Sequence, residues 1–334
     1  MNSVRLCSIP GIGAMLLLGV FSGGAFAALP KVDDLPGPLV SAAWLHDHAQ
    51  SVQIVDLRDD PDSLGNEPKY DTENGKKVLD QIGGHIPDAL SVNFWALREQ
   101  RKIDGKTLDF QFPTAEEFQT VMQTSQLENN KSIVIVPTGD QDISLQEAAF
   151  LALELQVYGV PADQVAILNG GTHAWIAAGY PVVVDAVVPM TSSHWTVEST
   201  HTNLIVHTAQ VQAAQKAGKL LLDARPLSEF IGVSRSPVIA ELGRIPGAEA
   251  MPAEALYFRA EDGSWRFMQA DRYKAVLAAL RLDTAKPSIV YCNTGQYAAG
   301  AWFILHRIMG LNRVREYAGS IYAWEHHDLP VVGL

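Results

Sequence analysis

The chain has 334 residues, 47% of them hydrophobic and 19% charged, a globular composition that predicts two domains of about 150 residues and excludes a disordered or collagen-like chain. Its 25 Lys and Arg residues against 37 Asp and Glu give a formal charge of −12, which argues against coating nucleic acid through a general basic surface. Two cysteines exclude a disulfide-stapled small fold, so burial must hold the core.

Met1 to Arg5 carry one positive charge, an apolar run follows through Met15-Leu16-Leu17-Leu18 to Phe21, and Ala25-Phe26-Ala27 ends it. That order predicts a signal peptide over residues 1–27, cleaved after Ala27. Glycines break the run and no basic stop-transfer flank follows, which weighs against an uncleaved membrane anchor. No later stretch is long and apolar enough to span a bilayer. The mature chain is expected to be exported, periplasmic or secreted, with 24 basic against 37 acidic residues and a single thiol, Cys292.

Past residue 27 the chain repeats itself. Leu39 to Trp44 reads as a helix leading into the buried strand Val52–Arg58, which ends Asp56-Leu57-Arg58. The same sequence of features recurs 167 residues later, where Ile205 to Ala209 leads to Leu221-Leu222-Asp223-Ala224-Arg225. Gly84-His85-Ile86-Pro87-Asp88-Ala89 is echoed by Gly243-Arg244-Ile245-Pro246-Gly247-Ala248, and Ser132–Val136 by Ser288–Cys292. Asn169-Gly170-Gly171-Thr172-His173-Ala174-Trp175 is echoed by Ala318-Gly319-Ser320-Ile321-Tyr322-Ala323-Trp324, with Pro181 and Pro330 following.

In each copy, short Val/Ile-rich strands alternate with helical stretches, which predicts an α/β fold with a mainly parallel sheet and helices on both faces. Thr114-x-x-Glu117 and Ser144-x-x-Glu147 read as capping boxes. The expected division is a first domain over 28–185, a Thr/Ser/Val-rich linker over 186–204 and a second domain over 205–334.

The Asp-Ala-Arg strand end, the Gly-x-Ile-Pro-Gly-Ala turn, the strand ending in Cys and the final Gly-Gly-x-x-Ala-Trp-x-x-Ala-Gly-x-Pro-Val resemble the rhodanese (sulfurtransferase) family, over nearly all of the mature chain and twice. The order is similar to the tandem thiosulfate and 3-mercaptopyruvate sulfurtransferases. That resemblance implies two rhodanese-like domains, a catalytic cysteine in the second, a small anionic sulfur donor, a thiol, cyanide or protein acceptor, and no cofactor.

Read from the residues alone, Cys292 ends an apolar strand, and Asn293-Thr294-Gly295-Gln296-Tyr297 connects it directly to the helical stretch from Ala298. Such a loop turns successive N–H groups and the positive helix end toward one point, so the thiol is expected to ionise readily and serve as nucleophile. Asn293, Thr294 and the amides of Gly295 and Gln296 are candidate substrate contacts, and Tyr297 is expected at the mouth. Arg225, at a strand end facing the binding crevice of a parallel sheet, is a candidate clamp for a sulfonate or carboxylate; the competing reading is an internal salt bridge with Glu229. Arg235, Arg244 and Arg259 are weaker candidates. The first copy aligns Val136 with Cys292, followed by an acidic loop through Asp140 and Asp142, and is expected to be noncatalytic.

His46-Asp47-His48 and His326-His327 lack metal-site spacing, and one cysteine cannot build a thiolate zinc site, so no metal is expected. Thiosulfate-preferring relatives usually carry basic residues after the cysteine and mercaptopyruvate-preferring ones Gly and Ser. This chain has Asn293 and Thr294, so the donor stays open and any attracting cation must come from elsewhere. A phosphatase needs an arginine closing the loop, where Tyr297 and Ala298 stand. A nonenzymatic sulfur-carrier, redox-sensing or binding module with a dedicated protein partner is the alternative to a sulfurtransferase.

Overall fold

Runs of Val, Ile and Leu too short for a helix become strands buried on both faces, as a helix-covered parallel sheet requires. The computed structural model describes residues 35–334 apart from 74, 186 and 188–190, so the expected signal peptide lies outside the described residues. The first half runs β1 (Leu39–Val40), α1 (Ala42–His48), β2 (Gln53–Arg58), β3 (Lys69–Glu73), β4 (Lys76–Gln81), β5 (Leu90–Asn93), β6 (Glu99–Ile103), β7 (Lys106–Gln111), α2 (Ala115–Thr124), β8 (Ile133–Val136), α3 (Asp142–Val157), β9 (Val165–Leu168) and α4 (Gly171–Ala177). The second half runs α5 (Thr208–Lys216), β10 (Leu220–Asp223), α6 (Leu227–Ile231), β11 (Glu249–Ala250), β12 (Tyr257–Arg259), β13 (Trp265–Phe267), α7 (Ala270–Ala279), β14 (Ser288–Tyr291), α8 (Gln296–Trp302), β15 (Val314–Glu316) and α9 (Ser320–His326).

Each half builds one parallel sheet. The first has the order β1-β9-β8-β2-β5 and the second β11-β10-β14-β15, while β3/β4, β6/β7 and β12/β13 are antiparallel hairpins outside them. A parallel bridge from Ile205 to Glu316 stands in the second sheet where β1 pairs with β9 in the first, so the two sheets share one order. The α/β architecture with two copies of one sheet is therefore the observed fold. No helix among the described residues is long and apolar enough to cross a membrane.

The side-chain period of two sends alternate residues of each strand to opposite faces. Ile54, Val134, Val136, Ala166 and Leu168 pack with Leu45 of α1 and Trp175 of α4, and Leu221, Ile289 and Tyr291 pack with Val211 of α5 and Trp324 of α9. The opposite faces of both sheets join a single core that also contains α2, α3, α7 and α8. At its centre, α3 is buried from Ser144 to Val157, its side chains there mostly Ala, Leu, Phe and Val, with Glu147 and Glu154 enclosed among them. It packs along α8, where a methyl added at Gly300 would sit 2.1 Å from Tyr257 Oη and 3.1 Å from Gln146 Cγ, so glycine is what lets the helices approach. The described residues from 35 onward belong to one compact unit. Within the stretch read as a linker, Trp195 is buried against Phe118, and Gln123 donates to its carbonyl at 2.8 Å.

Two details of the repeat differ from the sequence reading. Asp56 pairs with Val136 in the first sheet, whereas Asp223 pairs with Tyr291 in the second. The counterpart of Cys292 is thus Pro137, one residue past Val136. A run of consecutive apolar residues carries no internal register mark, so the motif alignment slips by one. Thr114 and Glu117 do form a reciprocal capping box. Ser144 does not, because α3 begins two residues earlier and its hydroxyl bonds back to Gln141 and accepts from the Gly139 N–H.

Candidate active site

Cys292 immediately follows β14 and is 1% exposed. Its carbonyl accepts from the Ile321 N–H at 3.0 Å, and its own N–H donates to Ser320 Oγ at 3.0 Å. The Gly295 N–H donates to Sγ at 3.2 Å. Gly295 has φ +98°, and a side chain there would meet the Ala318 carbonyl at 2.8 Å, so this turn toward the sulfur needs glycine. Ser320, at the start of α9, sits at φ +52°, a left-handed conformation that costs a residue other than glycine about 1–3 kcal/mol. Its hydroxyl donates to the Tyr317 carbonyl at 2.8 Å and lies 3.9 Å from Sγ.

The ready ionisation expected of this thiol is corrected by its burial. Burial pushes the Cys292 thiol up, and the backbone N–H groups of Ala298, Thr294 and Gly295 pull it the other way while the Glu316 carboxylate adds to the rise. The loop does aim amides at Sγ as the sequence suggests. What the sequence does not carry is the dry surroundings those amides must offset.

Around the loop, Asn293 Nδ2 donates to Glu229 at 2.7 Å, and Gln296 Nε2 donates to Glu147 of α3 at 3.2 Å. Tyr297 is half-buried, its hydroxyl pushed up to about 12 by burial and by Cys292, Asp142, Glu229 and Glu254. The Thr294 carbonyl accepts a hydrogen bond from Arg98, a residue 196 positions earlier in the first half. The guanidinium of Arg98 packs over the rings of Phe94, Phe110 and Phe150, 5.0–5.6 Å from their centroids. Burial lowers its pKa, and Cys292, Glu154, Glu316 and Glu147 act to raise it. A cation bonded to the cysteine loop thus comes from the half without the cysteine. Glu147, Glu316, Glu229 and Ser320 are further neighbours that the sequence reading missed. Only Ser320 had a signal, standing where the first copy has Gly171.

Arg225 is corrected from substrate clamp to structural brace. It is 1% exposed, its Nε and one terminal nitrogen grip Asp223 at 2.9 and 2.7 Å, and that nitrogen also reaches the Gly243 carbonyl at 2.7 Å; Glu229 lies 4.0 Å from the other. Arg58 does the same in the first half, with Asp56 at 2.7 and 2.5 Å and the Gly84 carbonyl at 3.2 Å. A brace repeated in the half without a nucleophile belongs to the fold. Arg244 pairs with Val332 as His85 pairs with Val183, which makes it a turn residue, and Arg259 bonds the Gly263 carbonyl of its own hairpin. Among the histidine pairs, His46 stacks on Tyr180 and His48 on Trp44, and His326 and His327 bond carbonyls one turn back.

The profile of the rhodanese-like domain matches residues 41–178 and 207–327. The chain is 29% identical to a thiosulfate sulfurtransferase of Corynebacterium glutamicum over 313 residues, 90% of this chain and 92% of that one. It is 24% identical to a sulfur carrier protein, TtuD, of Thermus thermophilus over 307 residues, 86% of this chain and 94% of that one. Among solved structures it is similar to SseA from Escherichia coli, described with the rhodanese fold of 3-mercaptopyruvate sulfotransferases, with a TM-score of 0.65 and 23% identity over 85% of this chain and 98% of that one.

Proposed function

The chain belongs to the rhodanese family of sulfurtransferases, in its tandem form, and from that premise we propose that it moves a sulfane sulfur from a small donor, thiosulfate first and 3-mercaptopyruvate second, to a thiophilic acceptor through a persulfide on Cys292. The observation that carries this reading is the sulfur held at the focus of a loop whose Gly295 N–H already points at it. In the first half-reaction Sγ, as thiolate, bonds to the outer sulfur of thiosulfate and the S–S bond to the sulfonate sulfur breaks, releasing sulfite with the electron pair. In the second, a thiolate or cyanide attacks the terminal sulfur and the Cys292 thiolate leaves, a ping-pong sequence. The loop amides offset the negative charge of thiolate and persulfide in turn. Asn293 and Thr294, half-buried at the loop surface, are positioned to contact the donor.

A second reading has sulfur arriving from, or leaving to, a partner protein. Glu229, Glu254 and Asp142 bear on Tyr297 beside the cysteine and would repel a dianion, so they favour a donor of lower charge. The likeness to a protein named as a sulfur carrier also supports it. We further propose, from residues 1–27, that the protein works after export; native protein beginning at Ala28 would support this and an intact Met1 would refute it.

Intact mass after incubation with thiosulfate, and separately with 3-mercaptopyruvate, decides between the readings. A gain of about 32 Da, one sulfur atom, lost in Cys292→Ser, is the expected result. No gain with either donor, from folded and reduced protein, would overturn direct transfer from a small molecule and leave the partner-supplied route.

A further inference from the structure

A guanidinium from the first domain bonded to the cysteine loop of the second is an arrangement that neither half contains alone. Arg98 follows a 3-10 turn, Phe94–Leu97, that Asn93 caps through the Trp95 N–H at 2.9 Å, so its backbone is fixed before its side chain crosses to Thr294. Two carboxylates, Glu154 of α3 and Glu316 of β15, both 0% exposed, act on it across space without a direct ion pair. Neither carboxylate, nor Arg98 Nε, has a hydrogen-bond partner among the described residues. Buried carboxylates persist only near a compensating charge, and here two from different domains flank one cation. Glu316 lies at the loop itself: its Oε1 is 3.3 Å from where a Gly295 side chain would begin.

We propose that Arg98 is a positioning residue through which the first domain controls the charge state of Cys292, with Glu154 and Glu316 as its resident counter-ions. It acts on the sulfur through the Thr294 carbonyl and across space. The thiolate and the two carboxylates compete for one guanidinium. When Cys292 ionises, the sulfur–hydrogen bond breaks, the electron pair stays on sulfur and the proton leaves to solvent, so the guanidinium must offset the new thiolate beside the carboxylates it already serves. Burial raises both carboxylates and Arg98 lowers both, and Cys292 acts on Arg98 in the same sense as they do. The other groups bearing on the sulfur and its loop are Glu147 from α3, Glu229 from α6, Tyr297 from α8 and the Ser320 hydroxyl from α9.

The test needs no sulfur donor and is therefore independent of the proposed transfer reaction. Full-length protein is pulsed with iodoacetamide from about pH 7 to about pH 12, and alkylation of the Cys292 peptide is followed by mass spectrometry, with melting curves confirming that each variant is folded at each pH. Arg98→Met is expected to move the midpoint up by about one unit, a tenfold loss of thiolate below it, while Arg98→Lys stays close to the wild type. The double variant Glu154→Gln/Glu316→Gln leaves Arg98 to the sulfur and is expected to move the midpoint down. A purely structural Arg98 would lower the melting temperature of both arginine variants without moving midpoints in opposite senses. Should Arg98→Met not fold, Arg98→Lys and the double variant carry the test. A rise or no change in the double variant, or a shift in Arg98→Lys of a unit or more, overturns the proposal.

Discussion

The two strand-to-helix loops occupy the same place in their sheets and are built to opposite ends. In the second, Cys292 offers an N–H that Ser320 Oγ accepts, and its carbonyl takes the Ile321 N–H. In the first, the counterpart is Pro137, which has neither thiol nor N–H, and its carbonyl takes the Thr172 N–H at 2.8 Å. The residue facing it is Gly171, at φ +58° against +52° for Ser320. A methyl on Gly171 would lie 2.0 Å from the Pro137 carbonyl oxygen, so no serine fits there. The nucleophile and the hydroxyl that faces it are thus both absent from the equivalent places of the first half, Pro137 and Gly171. One backbone frame serves two purposes, and two side chains decide which.

The braces beneath the loops are the test of how alike the frames are, and they carry the largest expected effect. Arg58→Ala and Arg225→Ala each strand a buried aspartate, at a cost of about 3–5 kcal/mol, or a fall of roughly 10 °C in melting temperature for a chain of this size. The two losses should be similar by calorimetry, and the Arg225 variant, wherever it remains folded, should keep its donor KM. A variant that melts normally while KM rises would restore Arg225 as a substrate clamp and break the symmetry.

The facing residues sharpen the contrast one step further. Gly171→Ala should cost about 3 kcal/mol, from the positive φ and the contact with Pro137. Ser320→Ala keeps its backbone and loses the acceptor for the Cys292 N–H together with the hydroxyl's bond to the Tyr317 carbonyl, about 1–2 kcal/mol, but should slow alkylation of Cys292 several-fold as the cysteine loses its tether. Equal stability losses with unchanged alkylation would make Ser320 a turn residue and nothing more.

The architecture and the nucleophile were legible because both rest on local pattern: alternating strand and helix signals, a duplicated Asp-x-Arg, and a cysteine closing an apolar strand before a short loop. The one-residue slip between copies was not, since four consecutive buried aliphatic residues look the same in either register and only the strand pairing of Asp56 and Asp223 reveals it. Arg225 misled for a related reason. Its strand end is at the right height for a substrate, but the aspartate two residues earlier claims the guanidinium first. Arg98 left no trace in the sequence, because it meets the loop from the other half, nearly two hundred residues away, and Glu316 left none because only the pairing of β14 with β15 brings it beside the loop. The raised thiol escaped notice for the same cause: spacing shows which amides point at a sulfur, not how much water the neighbouring domain removes.

Glu147 extends the comparison to helix α3, which follows the inert loop yet serves the active one through Gln296. It is 4% exposed, and burial first, then the Asp59 carboxylate, pushes it up to about 8 from 4.5, against the pull of the Gln296 amide. Between those values the folded state holds a proton that the unfolded state has released. Stability must therefore fall as pH rises from about 4.5 to about 8 and level off above, the reverse of a salt-bridged carboxylate. Glu147→Gln keeps the size and a hydrogen-bonding partner for Gln296 while removing the charge. It should leave stability near pH 5 almost unchanged and raise it by roughly 3–4 kcal/mol near pH 8. Parallel denaturant titrations of the two proteins across that range isolate Glu147, because Glu154 and Glu316 contribute equally to both. If the two curves run parallel, Glu147 is already ionised in the folded protein, and α3 supports the cysteine loop through a charged carboxylate instead of a protonated one.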